Sequence, residues 1–187
     1  MDFKSRVFLT IAAAALWLAP STARSGAIEL SLGGSFNRSN YTSTSYAWTR
    51  RLGFSLGYHL TELSEIEIAF QDVIDRTYLQ GYEDTTFHDQ IYSANWVQSL
   101  TGKESFLQPY LKGGVGQLNR KASGWYAIGA TPPSEVNSLT GIVGAGLRLY
   151  LTRNFAIRSE ATTYLTGGAL GTWKDNYALQ FGVSWMF

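Results

Sequence analysis

Large apolar residues recur at every second position along most of this chain, a pattern typical of β-strands with one apolar face. The clearest stretch is residues 175–187, where the alternate side chains are mostly small or polar. Its apolar set consists of Tyr177, Leu179, Phe181, Val183, Trp185 and Phe187. Soluble strands usually run about 5–6 residues, whereas a tilted strand of about 9–11 residues crosses a bilayer. The stretch therefore predicts a membrane-spanning strand.

Seven earlier stretches alternate in the same way, so the sequence predicts eight strands. They begin near residues 26, 46, 65, 88, 106, 139 and 155. Long polar connections are expected at 38–45, 72–87, 119–137 and 166–174, and short turns between the other strands. An even number of strands, with long loops on one rim and short turns on the other, predicts a closed antiparallel up-and-down transmembrane barrel. Closure is required because each unpaired backbone group in hydrocarbon costs roughly several kcal/mol of free energy.

The polar set of the alternation contains charged residues that a dry apolar core would not tolerate. They are Glu29, Arg51, Glu65, Glu67, Lys112, Arg148, Arg158 and Glu160. A soluble lipocalin-type barrel would turn this set to water and the apolar set inward. Glycines concentrated on the polar set favour a crowded lumen instead, and aromatic residues near strand ends favour membrane girdles. We therefore expect the eight charges to line the lumen as a network.

The predicted network has four acids and four bases, which can neutralise one another. A hairpin about residues 152–154 would place Arg148 beside Arg158, with Glu160 on the same face. Glu67 and Lys112 lie at comparable depth and are expected to meet across the lumen. Eight strands enclose a lumen that side chains can fill, so we expect it to be closed rather than a wide pore.

The N-terminal residues predict a secretory signal. Lys4 and Arg6 precede an apolar run at 7–19, which is shorter than the about 20 residues of a membrane helix. Small residues follow, so we predict a signal peptide at 1–23 and a barrel domain at 24–187. Cleavage after Ala23 or after Ala27 fits the pattern.

Composition excludes several classes of function. The net charge of +1 gives no electrostatic case for nucleic acid, and the absence of cysteine excludes disulfides and thiolate metal sites. The acidic residues between 72 and 89 match no calcium-loop spacing. We expect no cofactor and no metal.

Eight strands, a charged lumen, short turns on one rim and a terminal aromatic residue together resemble the OmpA/OmpX-type family of small outer-membrane barrels. The resemblance implies residence in the outer membrane, contact with outer-membrane lipid and lipopolysaccharide, and assembly by the barrel assembly machinery. It also implies a monomer with a structural or surface-binding role. The set ending in Phe187 resembles the assembly signal of such barrels. The family also contains small channels and lipid A-modifying enzymes, so both remain alternatives.

An enzyme of that kind needs a nucleophile or base directed at lipid. The two histidines, His59 and His88, both lack the His-x-Ser arrangement of deacylase-type barrels. We therefore expect no catalytic residues. The predicted third long loop contains Trp125 and Tyr126 beside Pro132 and Pro133, and exposed aromatic residues are common binding anchors. We expect this pair either to bind an extracellular ligand or to lean onto the headgroup region.

Overall fold

The computed structural model describes residues 26–102, 105–126, 135–166 and 177–187. These residues form eight strands: β1 (Ile28–Asn40), β2 (Tyr46–His59), β3 (Ser64–Leu79), β4 (Glu83–Ser99), β5 (Leu107–Tyr126), β6 (Val136–Tyr150), β7 (Phe155–Thr166) and β8 (Tyr177–Met186). The predicted signal peptide lies outside the described residues. Within the described part of the chain, no helix has the length and apolarity to span a membrane.

Each strand pairs antiparallel with its neighbour in sequence, and β8 pairs with β1, so the sheet closes into a barrel. The closing register runs from Glu29 opposite Met186 to Gly34 opposite Phe181. A closed sheet has no edge with unpaired backbone groups, as hydrocarbon requires. The predicted fold class, a closed eight-stranded antiparallel barrel, is confirmed.

The alternating sequence pattern maps onto the two faces of the barrel wall. On β8, Phe181 is 61% exposed on the outside, whereas the neighbouring Gln180 is buried inside. On β3, Ile68 is 65% exposed outside and Glu67 is fully buried inside. The outer wall is thus apolar and the interior largely polar, the reverse of a soluble lipocalin-type barrel. One buried apolar cluster interrupts the polar interior: Ile91, Leu118, Ile142, Tyr164 and Ala178.

The rim that carries residues 26 and 187 has short turns held by threonine hydroxyls, and we call it the short-turn rim. In the β2–β3 turn, the Thr61 hydroxyl accepts a hydrogen bond from the backbone N–H of Ser64 at 2.9 Å. In the β6–β7 turn, the Thr152 hydroxyl accepts from the N–H of Phe155 at 3.0 Å. These local bonds fix the register of the two hairpins. The opposite rim is called the far rim.

The predicted second long loop, 72–87, is wrong. β3 continues to Leu79 and β4 begins at Glu83, so three residues connect them. Gly81 adopts a φ of 78°, which a side chain would disfavour, and the Tyr82 N–H donates to the Leu79 carbonyl at 2.9 Å. The hairpin extends past the lipid-facing apolar belt. Each face mixes polar and apolar residues there, such as Ile74 with Arg76 outside and Val73 with Asp75 inside, so period-two alternation ends before the strands do.

The third predicted loop is wrong in the same way over its first part. β5 continues to Tyr126, and Trp125 lies opposite Asp84 of β4. As consecutive strand residues, Trp125 and Tyr126 point to opposite faces of the wall, so they do not form one loop-borne pair. Residues 127–134, which include Pro132 and Pro133, lie outside the described residues, as do 167–176 of the fourth connection. The first connection is 41–45, shorter than predicted because β1 reaches Asn40.

Candidate functional site: an ion network across the lumen

A network of buried ions crosses the lumen in the half of the barrel next to the short-turn rim. Seven of the eight predicted lumen charges meet there: Glu29, Glu65, Glu67, Lys112, Arg148, Arg158 and Glu160. They belong to β1, β3, β5, β6 and β7, on positions that alternate with lipid-facing ones. All seven are buried, so the network occupies the bore.

Arg148 lies at the end of the network nearest the short-turn rim and contacts carboxylates on the opposite wall of the barrel. It is fully buried, with Nε 3.2 Å from Glu29 Oε1 and Nη2 2.5 Å from Glu65 Oε2. Its guanidinium also lies over the Tyr110 ring, 4.9 Å from the centroid. Arg148 thus links β6 to β1 and β3 across the lumen.

Arg158 forms a second link beside the first. Its Nη2 lies 2.8 Å from both Glu67 Oε2 and Glu160 Oε2. Its Nε donates to the Tyr110 hydroxyl at 2.7 Å, and that hydroxyl donates to Glu160 at 2.8 Å. The register places Arg148 opposite Arg158, as predicted. The flanking carboxylates offset the repulsion between the two guanidinium groups.

Lys112 completes the network between two carboxylates. Its Nζ lies 2.7 Å from Glu67 Oε1 and 3.0 Å from Glu160 Oε1. The expected approach of Glu67 and Lys112 is therefore present. Tyr110, which sequence reasoning placed inside but assigned no role, shares Glu160 and Arg158 with it.

Two glycines make room for these side chains. A Cβ at Gly57 would overlap the Glu65 carboxylate, and one at Gly146 would overlap the Tyr110 ring. The concentration of glycine on the polar face, visible in the sequence, thus corresponds to the crowding of the lumen.

The predicted even charge balance does not hold within this network. Arg51 lies nearer the far rim, where it acts electrostatically on Asp75, and it makes no ion pair with any described residue. Four carboxylates and three cations remain, a net charge of −1 (3 − 4) when His59 is neutral. His59 lies beside two of the four carboxylates, with its Nε2 3.1 Å from Glu29 Oε2 and 3.9 Å from Glu65 Oε2.

Glu29, His59 and Glu65 bring three potential ligand atoms within 4.8 Å of one another. Arg148 already contacts both carboxylates. A divalent cation would have to displace or abut that guanidinium, so the geometry fits an arginine clamp better than a metal centre.

A small cavity lies on the far-rim side of the network. It measures about 50 Å³ and is lined by Gly33, Gly53, Gln71, Gln180 and Gly182, with Lys112 and Arg158 at its floor. A single water needs about 10–15 Å³ on this measure, so the space suits a few waters. The Tyr164 hydroxyl donates to Gln71 beside it.

Nearer the far rim, ion pairs occupy both faces of the β3–β5 wall. Inside, Arg120 binds Asp89 through two bonds of 2.7 Å. Outside, Arg76 binds Asp84 through bonds of 3.1 and 3.0 Å, which hold the pKa of Arg76 above its ordinary value. His88 also faces outward, with Nε2 2.5 Å from Asp72 Oδ1. The predicted acidic loop is therefore a set of paired strand residues.

A family model described as "OprF membrane domain" matches residues 9–187. The chain belongs to the OprF membrane domain family. It is an outer-membrane β-barrel, as the resemblance to OmpA-type barrels implied. In such barrels the short turns are periplasmic and the other rim is extracellular.

Solved structures show the same fold. The N-terminal barrel domain of Pseudomonas aeruginosa OprF is 17% identical, with a TM-score of 0.62 over 87% of this chain and 98% of that one. Ail, the attachment invasion locus protein of Yersinia pestis, is 15% identical with a TM-score of 0.53, covering 87% and 99%. Neisserial surface protein A is 16% identical with a TM-score of 0.52, covering 87% and 98%. No curated protein sequence matches the chain.

Proposed function

We propose that this OprF-family barrel is a non-catalytic outer-membrane protein with a closed lumen, acting structurally and through its extracellular surface. The observation that supports a closed lumen is the position of Arg148, Arg158 and Lys112, each bridging carboxylates across the bore. Their charge-assisted bonds hold the side chains in place. The alternative, a small ion-conducting channel, requires this network to open.

Planar-bilayer recording tests the closed lumen. The unmutated protein should show no steady porin-like conductance, and Glu160→Ala, which removes a partner of both Arg158 and Lys112, should raise small-ion leakage. Arg153→Gln, in the exposed β6–β7 turn, is the matched control and should remain silent. Steady conductance from the unmutated barrel would establish the channel function instead.

The absence of catalysis is supported by the partners of the two histidines. His59 is buried against Glu29 at the periplasmic end, away from the outer leaflet. His88 is paired with Asp72, and among the described residues it hydrogen-bonds no serine or threonine hydroxyl that it could activate as a nucleophile. Mass spectra of lipid A from cells with and without the protein should show the same acyl pattern. A changed pattern would favour a lipid A-modifying enzyme. We expect no cofactor, metal or nucleic acid to take part.

The surface role is supported by the projecting end of the β4–β5 wall. Trp125 is 48% exposed beside the Arg76–Asp84 pair, in a position to contact an extracellular ligand or headgroups. Trp125→Ser should weaken adhesion to cells or surface coats, and Tyr126→Ser, on the other face, should weaken it less. Equal adhesion by Trp125→Ser and unmutated protein would exclude this ring as an anchor.

The assembly signal proposed for the terminal strand comprises the outward side chains of Tyr177, Leu179, Phe181, Val183, Trp185 and Phe187. Phe187→Asp should reduce folded yield in the outer membrane while export continues, because the barrel assembly machinery is expected to read this face. The readout is the heat-dependent shift in gel mobility of membrane fractions, with Tyr41→Asp as an exposed control. We further expect a monomer surrounded by outer-membrane lipid and lipopolysaccharide.

A further inference from the structure

A row that contains three polar residues crosses the outer wall of β2–β5 beyond the apolar belt. Arg50, Ile74, His88 and Lys121 are successive cross-strand partners in this wall. They occupy the same alternation as the lipid-facing Phe54, and the side chains of Arg50 and His88 are 46% and 42% exposed. His88 and Lys121 are adjacent partners, about 4.5–5.5 Å apart. Ile74 separates Arg50 from His88, but Asp72 contacts both of their side chains, so the three polar residues form one patch.

The patch carries surplus positive charge. Asp72, one row closer to the belt, contacts His88 Nε2 at 2.5 Å and Arg50 Nη2 at 3.8 Å. Lys121 is exposed and makes no ion pair with any described residue. Arg50 and Lys121 against Asp72 leave a net charge of +1, or +2 when His88 is protonated. Asp72 therefore positions two members of the patch without neutralising it.

The position of the patch is that of the lipid headgroups. Two rows closer to the membrane centre than Arg50, the rings of Phe70 and Tyr92 pack 5.0 Å apart on the outer wall. The outward Trp48 and Tyr46 lie one and two rows beyond Arg50, so aromatic rings flank the basic row on both sides. Aromatic and basic side chains together are typical of the level where hydrocarbon gives way to headgroups.

The opposite wall lacks this feature. Among the described residues of β6, β7 and β8, the charged side chains are Arg148, Arg158 and Glu160, and all three are buried in the lumen. Outward positions there are apolar or small, such as Leu139, Val143 and Leu179. Apart from Arg38 on the neighbouring β1, the outward positive charge of the described strands is thus confined to β2–β5.

We propose that Arg50, His88 and Lys121 form a site for the phosphate group of an outer-leaflet lipid, on the β2–β5 wall alone. Arginine and lysine are the side chains that bind phosphate, the first by paired N–H groups and the second as a point charge. The site sits between water and hydrocarbon, where such pairing is stronger than in bulk water. The site rests on the proposed function in one respect, because it requires a barrel inserted in the outer membrane. It does not depend on whether the lumen conducts ions.

The test uses the folded barrel in phosphatidylcholine nanodiscs containing a small fraction of bis-phosphorylated lipid A, with EDTA present to remove bridging divalent cations. Retained lipid A is counted by native mass spectrometry. Arg50→Gln and Lys121→Gln should each weaken retention about five-fold, the effect of about one basic residue at an anionic membrane surface, and the double variant more. Arg153→Gln, which removes one exposed charge at the periplasmic turn, is the matched control and should retain lipid A like the unmutated protein.

The heat-dependent gel shift of each variant shows that it is folded, which separates failure of this site from failure of the barrel assignment. The unmutated protein and the double variant should retain dephosphorylated lipid A equally. The proposal is overturned if the double variant retains lipid A like the unmutated barrel, or if Arg153→Gln weakens retention equally. It is also overturned if millimolar inorganic phosphate displaces the lipid fully, since the site would then bind any phosphate.

Discussion

The periplasmic half of the lumen and the extracellular end of the β3–β4 hairpin use the same pairing of arginine with carboxylate in different surroundings. Arg148 Nη2 lies 2.5 Å from Glu65 Oε2, and both side chains are almost completely buried. Arg76 binds Asp84 through two bonds, yet its side chain is 37% exposed. Water and salt screen the second pair and cannot reach the first. Burial, more than the number of bonds, should decide what each pair contributes to stability.

The largest effect is expected from Arg148→Met, which leaves Glu29 and Glu65 buried without their guanidinium. Removing one partner of a buried ion pair costs about 3–5 kcal/mol of unfolding free energy. Urea unfolding in lipid vesicles, followed by tryptophan fluorescence, measures it. Arg153→Gln in the exposed turn is the control and should change stability by less than about 0.5 kcal/mol. An equal, small effect from both would mean that water reaches the lumen pair.

The net charge of −1 predicts an asymmetry between the two partners Lys112 and Glu160. Lys112→Met moves the network to −2, whereas Glu160→Gln moves it to zero and keeps the shape of the side chain. Lys112→Met should therefore lose more unfolding free energy, by roughly 1–3 kcal/mol, the range for leaving a buried polar group unsatisfied. Equal losses in the same unfolding assay would mean that the surplus negative charge of the network is already neutralised.

Tyr110→Phe tests the neutral member of the network. The change removes the hydroxyl that accepts from Arg158 Nε and donates to Glu160, while the ring under both arginines remains. We expect a loss of about 1–2 kcal/mol, because one buried donor becomes unpaired. Tyr92→Phe, on the lipid-facing wall, is the control. A loss matching the control would show that the arginines re-pair with the carboxylates.

The smallest effect is expected from Arg76→Gln on the exposed hairpin. Surface ion pairs contribute about 0–1 kcal/mol, so stability should fall by less than that and the difference should shrink in high salt. The measurement is urea unfolding at low and at high salt, with Arg148→Met in parallel. A loss as large as that of Arg148→Met would show that bond geometry, and not burial, sets the strength of these pairs.

The barrel and its inward charges were predictable because lipid imposes a strict rule on sequence. Wherever one face of a strand meets hydrocarbon and the other meets the lumen, polarity must alternate, so the strand count, closure and inward positions of Glu67, Arg148 and Arg158 were readable. The same rule explains the errors. Beyond the belt, each face of the β3–β4 hairpin mixes polar and apolar residues, and both faces of β5 are mostly polar. Residues 72–79 and 119–126 therefore lack alternation and resemble loops in the sequence.

Beyond the predicted approaches of Arg148 to Arg158 and of Glu67 to Lys112, only the tertiary structure decided which charges meet and in what numbers. Pairing across the lumen joins residues as distant in sequence as Glu65 and Arg148, and it depends on the shear and closure of the sheet, which no local pattern encodes. Closure left Arg51 outside the network, drew in Tyr110 and His59, and gathered Arg50, His88 and Lys121 into one outward patch. Within the lipid-facing belt, the sequence determined the face of each side chain, because that follows from alternation alone. For most of the lumen charges, the partner followed only from closing the barrel.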